Sequence, residues 1–308
     1  MIKRLVLALA LLACQPLVQA EAPGDSSYTL EHGGLTRHYL VHVPRSYDPA
    51  RPAALLMALH GGGGSAKFQA DDAHYGLITA SEKYGFVAVF PNGISPLPGG
   101  MLATWNAGAC CGKARDRNID DVGFLRAVVA DVQRRLAIDP ARVYATGMSN
   151  GGMMAQRLAC EAADVFRAIA PVAGTDNTLT ACAPNRPVAV IEFHARNDDH
   201  VLFNGGAGPS AFADSSKMAP FTSVDETIAR WVKRNQCSAT AAPEVVLDKP
   251  GARCVRHNGC AGGAVVELCV TEDGGHSWPG GGATRIGKTK PSTAISANDL
   301  MWAFFQRL

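Results

Sequence analysis

The chain has 308 residues, 47% of them hydrophobic and 18% charged, with 32 glycines, a size and composition that suit one α/β domain and argue against long disorder. Setting aside a leader at residues 1–20, which holds Lys3 and Arg4 and no acid, the 29 basic side chains fall to 27 against 27 acidic ones. A neutral surface argues against nucleic acid or an anionic membrane as the main partner and fits an uncharged substrate.

The leader is read from three parts in order: the charged start at Lys3 and Arg4, the apolar run from Leu5 to Ala13, and the small-residue cleavage site Val18-Gln19-Ala20. It predicts a secreted protein, extracellular or periplasmic. Leu11-Leu12-Ala13-Cys14 resembles a bacterial lipoprotein box, but the bulk of Leu12 favours plain secretion over anchoring at Cys14. No apolar run is long enough to span a bilayer.

Apolar strands and amphipathic helices then alternate, the pattern of a mostly parallel central sheet with helices on both faces. Strands are predicted at Arg37 to Val43, Ala53 to Leu59 and Gly85 to Phe90. Asp121 to Leu136 is a helix, with Leu125, Val128, Val129, Val132 and Leu136 on one face. A strand at Arg142 to Thr146 runs into a helix from Asn150 to about Ala162, and strands follow at Arg167 to Val172 and Val188 to Phe193. Residues 199–222 lack periodicity and suggest a rim or lid. Ser223 and Glu226 form a capping box for a helix reaching Arg234, Ala264 to Thr271 is the last strand, and Met301, Phe304, Phe305 and Leu308 stripe a closing helix.

Eight cysteines follow the leader, an even number that reads as disulfides in an exported chain. Cys160 with Cys182 and Cys237 with Cys269 are the expected pairs. Adjacent Cys110 and Cys111 form either a vicinal bridge or two separate links. The rival reading is a zinc site of Cys254, His257, Cys260 and Cys269.

The chemistry centres on Gly147-Met148-Ser149-Asn150-Gly151, which has the G-x-S-x-G spacing of a nucleophile elbow between a strand and a helix. Small residues two places either side relieve a crowded turn, and the helix N-terminus favours a developing anion. His60-Gly61-Gly62-Gly63-Gly64 follows an earlier strand, where the N–H of Gly62 or Gly63 is expected to form an oxyanion hole with that of Asn150. It lacks the lysine ending of a phosphate-binding loop, and His60 is expected to prop it. The base is expected at His276, in a glycine-rich loop after the last strand, rather than at His194, His200 or His257. The acid should follow the strand ending at Phe193. Asp198 is the first choice and Asp199 the second.

With these residues identified, the chain resembles secreted poly(3-hydroxybutyrate) depolymerase-like esterases, a group overlapping feruloyl and acetylxylan esterases. The resemblance spans roughly residues 28–308. It rests on Leu59-His60-Gly61-Gly62-Gly63-Gly64, Trp105-Asn106-Ala107-Gly108 with Cys110-Cys111-Gly112, Asp120-Asp121-Val122-Gly123-Phe124, the elbow through Met153, and Gly275-His276-Ser277-Trp278-Pro279-Gly280-Gly281. It places the acid within His194 to Asp198, where relatives read His-Gly-x-x-Asp and this chain has Ala195. It implies one α/β-hydrolase domain over 21–308, a Ser149–His276–Asp198 triad working through an acyl-enzyme, and no metal or cofactor. Trp105 and Trp278 are expected to wall the substrate site. The implied substrate is an uncharged ester or polyester, first a 3-hydroxybutyrate polymer or oligomer. Feruloyl or acetylxylan esters, and amides such as polyaspartate or peptides, use the same machinery, and a non-catalytic binding protein is the rival of another kind. The sequence does not set an oligomeric state.

Overall fold

The computed structural model describes residues 22–97, 100–178, 182–211, 220–238, 240, 242–283 and 290–308. The predicted leader, with Cys14, lies outside the described residues.

Among the described residues ten strands form one sheet in the order β1-β2-β4-β3-β5-β6-β7-β10-β9-β8. They are β1 (Gly24–His32), β2 (Leu35–Val43), β3 (Ala53–Leu59), β4 (Val87–Pro91), β5 (Ile138–Met148), β6 (Ala168–Val172), β7 (Ala189–Ala195), β8 (Glu244–Lys249), β9 (Ala252–His257) and β10 (Val266–Thr271). The six from β4 to β10 in the middle run parallel, and antiparallel strands extend both edges. Among the described residues the α-helices are α1 (Ala66–Gln69), α2 (Asp72–Tyr75), α3 (Leu77–Tyr84), α4 (Gly112–Asp116), α5 (Asp121–Arg135), α6 (Asn150–Glu161), α7 (Val224–Arg234) and α8 (Ala297–Phe305).

All seven residues of β3 are buried, as a central parallel strand covered on both faces requires. Their alternation divides the core. Leu55, Met57 and Leu59 face the layer of α5, α6 and α7, with Leu125, Met153 and Trp231. Leu56 and Ala58 face the layer of α1, α2, α3 and α8, with Tyr75, Leu77 and Phe304. The α/β architecture is as expected. Strands β1 and β8 were not anticipated from the sequence. Ser223 caps α7 by accepting the Glu226 N–H at 3.1 Å, but the Glu226 carboxylate turns to Arg230 rather than closing the box.

Cys160 pairs with Cys182 as expected. The expected Cys237–Cys269 bond is corrected: Cys237 bonds Cys260 and Cys254 bonds Cys269. The reason lies in β9, which pairs antiparallel with β10 and sets Cys254 directly opposite Cys269. These two bonds also commit the sulfurs of the suggested zinc set. Cys110 and Cys111 bond to each other across a cis peptide.

Candidate active site

Strand β5 ends at Met148 and α6 begins at Asn150, so Ser149 is the whole turn between them. Its φ of 55° and ψ of −120° are unusual for a residue with a side chain, a conformation that costs about 1–3 kcal/mol and persists only where its surroundings impose it. The Ser149 N–H donates to the Val172 carbonyl at 2.8 Å, and its carbonyl accepts the Met153 N–H at 2.9 Å. The flanking glycines have a steric cause: a Cβ on Gly151 would lie 2.2 Å from the Leu59 carbonyl oxygen, and one on Gly147 would lie 2.5 Å from the Gly151 carbonyl carbon. Strand β3, strand β5 and helix α6 thus meet with no room for a methyl group.

The glycine loop after β3 packs on the same turn, with the Cβ position of Gly61 3.6 Å from that of Ser149. Gly63 donates its N–H to the Ala103 carbonyl at 2.8 Å and is corrected as an oxyanion donor, because that hydrogen is already committed. The Gly62 N–H has no partner among the described residues, and Asn150, as the first residue of α6, has an N–H outside the helical ladder. The Asn150 side chain is occupied elsewhere, accepting the Trp105 N–H at 2.8 Å and donating to the Trp105 carbonyl at 3.1 Å. Trp105 in turn donates its indole N–H to the His60 carbonyl at 2.9 Å. His60 is fully buried, donating from Nδ1 to the Gly61 carbonyl at 2.8 Å and accepting the Gly93 N–H at Nε2 at 2.9 Å. Burial, with Arg37 nearby, pulls its pKa down to about 4 against the opposing Gly61 bond, so it is neutral. Behind this layer, Asp121 accepts the Asn106 N–H at 2.8 Å and binds Arg37 at 2.7 Å.

Asp198 and His276 come together across 78 positions of sequence, with His276 Nδ1 2.8 Å from Asp198 Oδ2. The other Asp198 oxygen accepts the N–H groups of His200 at 2.8 Å and Val201 at 3.0 Å. Burial would raise the Asp198 pKa, but His276 and His194 outweigh it and hold the carboxyl far below its usual range. Asn197 fixes the histidine loop by accepting the Gly275 N–H at 2.9 Å. Asp199 points elsewhere, to His200 Nδ1 and the Ser210 hydroxyl, each at 2.7 Å. The Nε2 atom of His276 has no hydrogen-bond partner among the described residues, and His276 and Ser149 line the same cavity.

That cavity, about 290 Å³, is walled by Phe68, Tyr75, Met148, Met153, Phe221 and Trp278, with the Cys110–Cys111 bridge beside Ser149. Trp278 lines it as expected, its indole held by Asn298 at 3.0 Å and edge-on to Tyr75. Trp105 is corrected: it has no exposure and packs on His60 outside the lining, because both of its N–H groups are used to brace Asn150 and the glycine loop. The described part of the 199–222 stretch contributes His200, Val201, Ser210, Ala211 and Phe221 to the lining. Two histidines were missed. His200 stacks on His276 with centroids 4.5 Å apart and planes at 13°. His194, passed over as the base, lies 3.4 Å from Asp198. A histidine two residues after the acid was a usable signal for the first, and the histidine four residues before it, in the His-x-x-x-Asp run, for the second.

The parallel sheet with a serine on a strained strand-to-helix turn at its centre defines an α/β-hydrolase. A model of the prolyl oligopeptidase family matches residues 104–199. Feruloyl esterase C of Emericella nidulans is 30% identical over 207 residues, covering 64% of this chain and 70% of that one. Feruloyl esterase B of Piromyces equi is 30% identical over 206 residues, 66% of this chain, but the chain spans only 36% of that longer protein. Among solved structures, an acetyl xylan esterase from Aspergillus awamori shares the fold at a TM-score of 0.59 and 15% identity, covering 91% of this chain and 99% of its own. The chain belongs to the feruloyl esterase-like family of α/β-hydrolases.

Proposed function

We propose that this protein is a serine esterase whose substrates are aromatic, feruloyl-type carboxylic esters. The single observation that carries the reading is the strained Ser149 sharing one apolar cavity with a His276 already held by an ionised Asp198. His276 Nε2 takes the proton of the Ser149 hydroxyl as its oxygen attacks the ester carbonyl. The N–H groups of Gly62 and Asn150 receive the oxyanion, and the alcohol leaves with the proton from His276. Water, deprotonated by the same imidazole, then releases the acid. Asp198 keeps the hydrogen of the neutral imidazole on Nδ1 and stabilises the imidazolium.

The aromatic acyl preference is supported by Phe68, Tyr75, Phe221 and Trp278 in the cavity wall and by the names of the relatives. A second reading, esters of 3-hydroxybutyrate chains, is favoured by Leu97, Met101 and Leu102. These are exposed on one segment tied together by Ser95, and Leu102 reaches the cavity. Four disulfides support work in an oxidising compartment, in keeping with the predicted leader. The common sheet supports reading 21–308 as one catalytic domain.

The test is a panel of methyl ferulate, p-nitrophenyl acetate, a 3-hydroxybutyrate trimer and a feruloyl anilide, with fluorophosphonate labelling alongside. Methyl ferulate is expected to give the highest kcat/KM, and Ser149→Ala to lose labelling and about 10⁵–10⁶-fold in rate. Faster turnover of the trimer would favour the second reading. Faster cleavage of the anilide, or no labelling of folded protein, would overturn the esterase assignment.

A further inference from the structure

Beside Asp198, facing the same Oδ2 oxygen that His276 binds, lies a buried group that the reaction scheme above does not use. His194, in β7, is fully buried. Its Nε2 is 2.8 Å from the Val201 carbonyl oxygen and 3.4 Å from Asp198 Oδ2. A carbonyl can only accept, so Nε2 carries a hydrogen. On the other side of the ring, Nδ1 is 3.6 Å from Glu192 Oε1, and both atoms are buried with no other partner among the described residues. The second Glu192 oxygen accepts from the Gln156 amide at 2.9 Å. An imidazole lone pair facing a carboxylate lone pair in a dry interior is repulsive, so the Glu192–His194 pair holds one shared proton.

Its placement follows from what surrounds the pair. Asp198 faces Nε2 from the loop after β7, and Glu192 faces Nδ1 from the strand itself. His276 lies beyond Asp198, with His200 stacked on its ring. Arg196 sits over Phe203, the ring that His194 meets edge-on. From the segment after β6, Asp176 is paired with Arg234 at 2.7 Å and Arg230 at 3.5 Å, and so is compensated from α7. Two carboxylates flanking one imidazole favour a proton on both nitrogens. Burial alone would depress the imidazole, but Asp198 and Glu192 outweigh it and hold its pKa up at about 10; burial also raises Glu192.

We propose that His194 is a positioning residue, an imidazolium locked beside Asp198 that divides the acid's charge between two histidines and lowers the basicity of His276. A cation beside the acid weakens its pull on the His276 proton, so the base stays free, and the enzyme active, at lower pH. This inference rests on the triad reading above.

The experiment is the pH dependence of fluorophosphonate labelling and of kcat and KM for wild type, His194→Gln and the double variant Glu192→Gln/His194→Gln. The double variant leaves no uncompensated buried charge. The acid limb is expected to move up by about half to one pH unit in both variants, with kcat down about three- to tenfold on that limb and KM within twofold. An unmoved acid limb in folded variants would overturn the proposal. Absence of labelling in wild type would instead sink the triad reading. Should both variants fail to fold, ¹⁵N-histidine NMR of wild type decides. One buried ring is expected to stay protonated at both nitrogens at about pH 8.5, where an ordinary histidine is neutral, and finding none would overturn the proposal.

Discussion

At the scale of single residues, His60 shows how a buried imidazole holds a loop only in its neutral form. Nε2 accepts the Gly93 N–H, so a proton added there would meet another hydrogen and find no acceptor. The group therefore titrates at about 4 in the native protein against 6.5 when exposed. The unfolded chain binds the extra proton first as pH falls, so stability drops between about pH 6.5 and pH 4, by about 1.4 kcal/mol per pH unit and ~3 kcal/mol in all. Above pH 6.5 the group contributes no slope. Urea denaturation at pH 7 and pH 4.5 should show wild type losing more stability than His60→Asn, and equal losses would refute the assignment. Ser149 and His276 were legible because each sits in a local run of glycines with its own steric logic. Asp198 was separable from Asp199 only in space, by which carboxylate turns inward. Trp105 was misread because its role comes from apposition in the folded chain, whereas His194 and His200 carried signals in their places four residues before the acid and two residues after it.

At the scale of elements, the elbow is a three-way contact of β3, β5 and α6, and its tolerance can be stated atom by atom. Gly151→Ala would place a methyl group 2.2 Å from a backbone oxygen of Leu59, which cannot move without displacing the central strand. Gly61→Ala, one loop away, would meet nothing closer than 3.4 Å. The first is expected to cost more than about 3 kcal/mol or to abolish soluble expression, and the second to leave the melting temperature within a few degrees. Circular dichroism melts of the two decide the matter, and similar Tm values would overturn the packing account. Central elements were readable because burial on both faces gives unbroken apolar runs such as Ala53 to Leu59. Strand β8, exposed at four of its six positions, carries no such signal and exists because β9 pairs with it. Helices α1, α2 and α4, of four or five residues, are too short to show a period.

At the scale of the molecule, the three bridges between distant cysteines all fasten the half of the sheet that supplies the acid and the base. Cys254–Cys269 ties the β8–β9 edge to β10, whose exit carries His276. Cys237–Cys260 anchors the end of α7 to the loop after β9, and Cys160–Cys182 fixes the end of α6. These bonds close loops of 15, 23 and 22 residues. Loops of that size each remove about 3 kcal/mol of chain entropy from the unfolded state. The vicinal pair closes almost none, so its contribution by this route is small. Cys254→Ala/Cys269→Ala is therefore expected to lower Tm by about 6–12 °C, whereas Cys110→Ser/Cys111→Ser lowers it by much less. Because β10 is already held by parallel pairing to β7 through Val266 to Thr271, kcat of the Cys254/Cys269 variant at 25 °C should stay within about threefold of wild type. Calorimetry and initial rates on the two variants separate the cases. A larger Tm loss from the vicinal pair would show that the edge hairpin is held by packing, and that the bridge beside Ser149 supports more of the fold than its loop length allows.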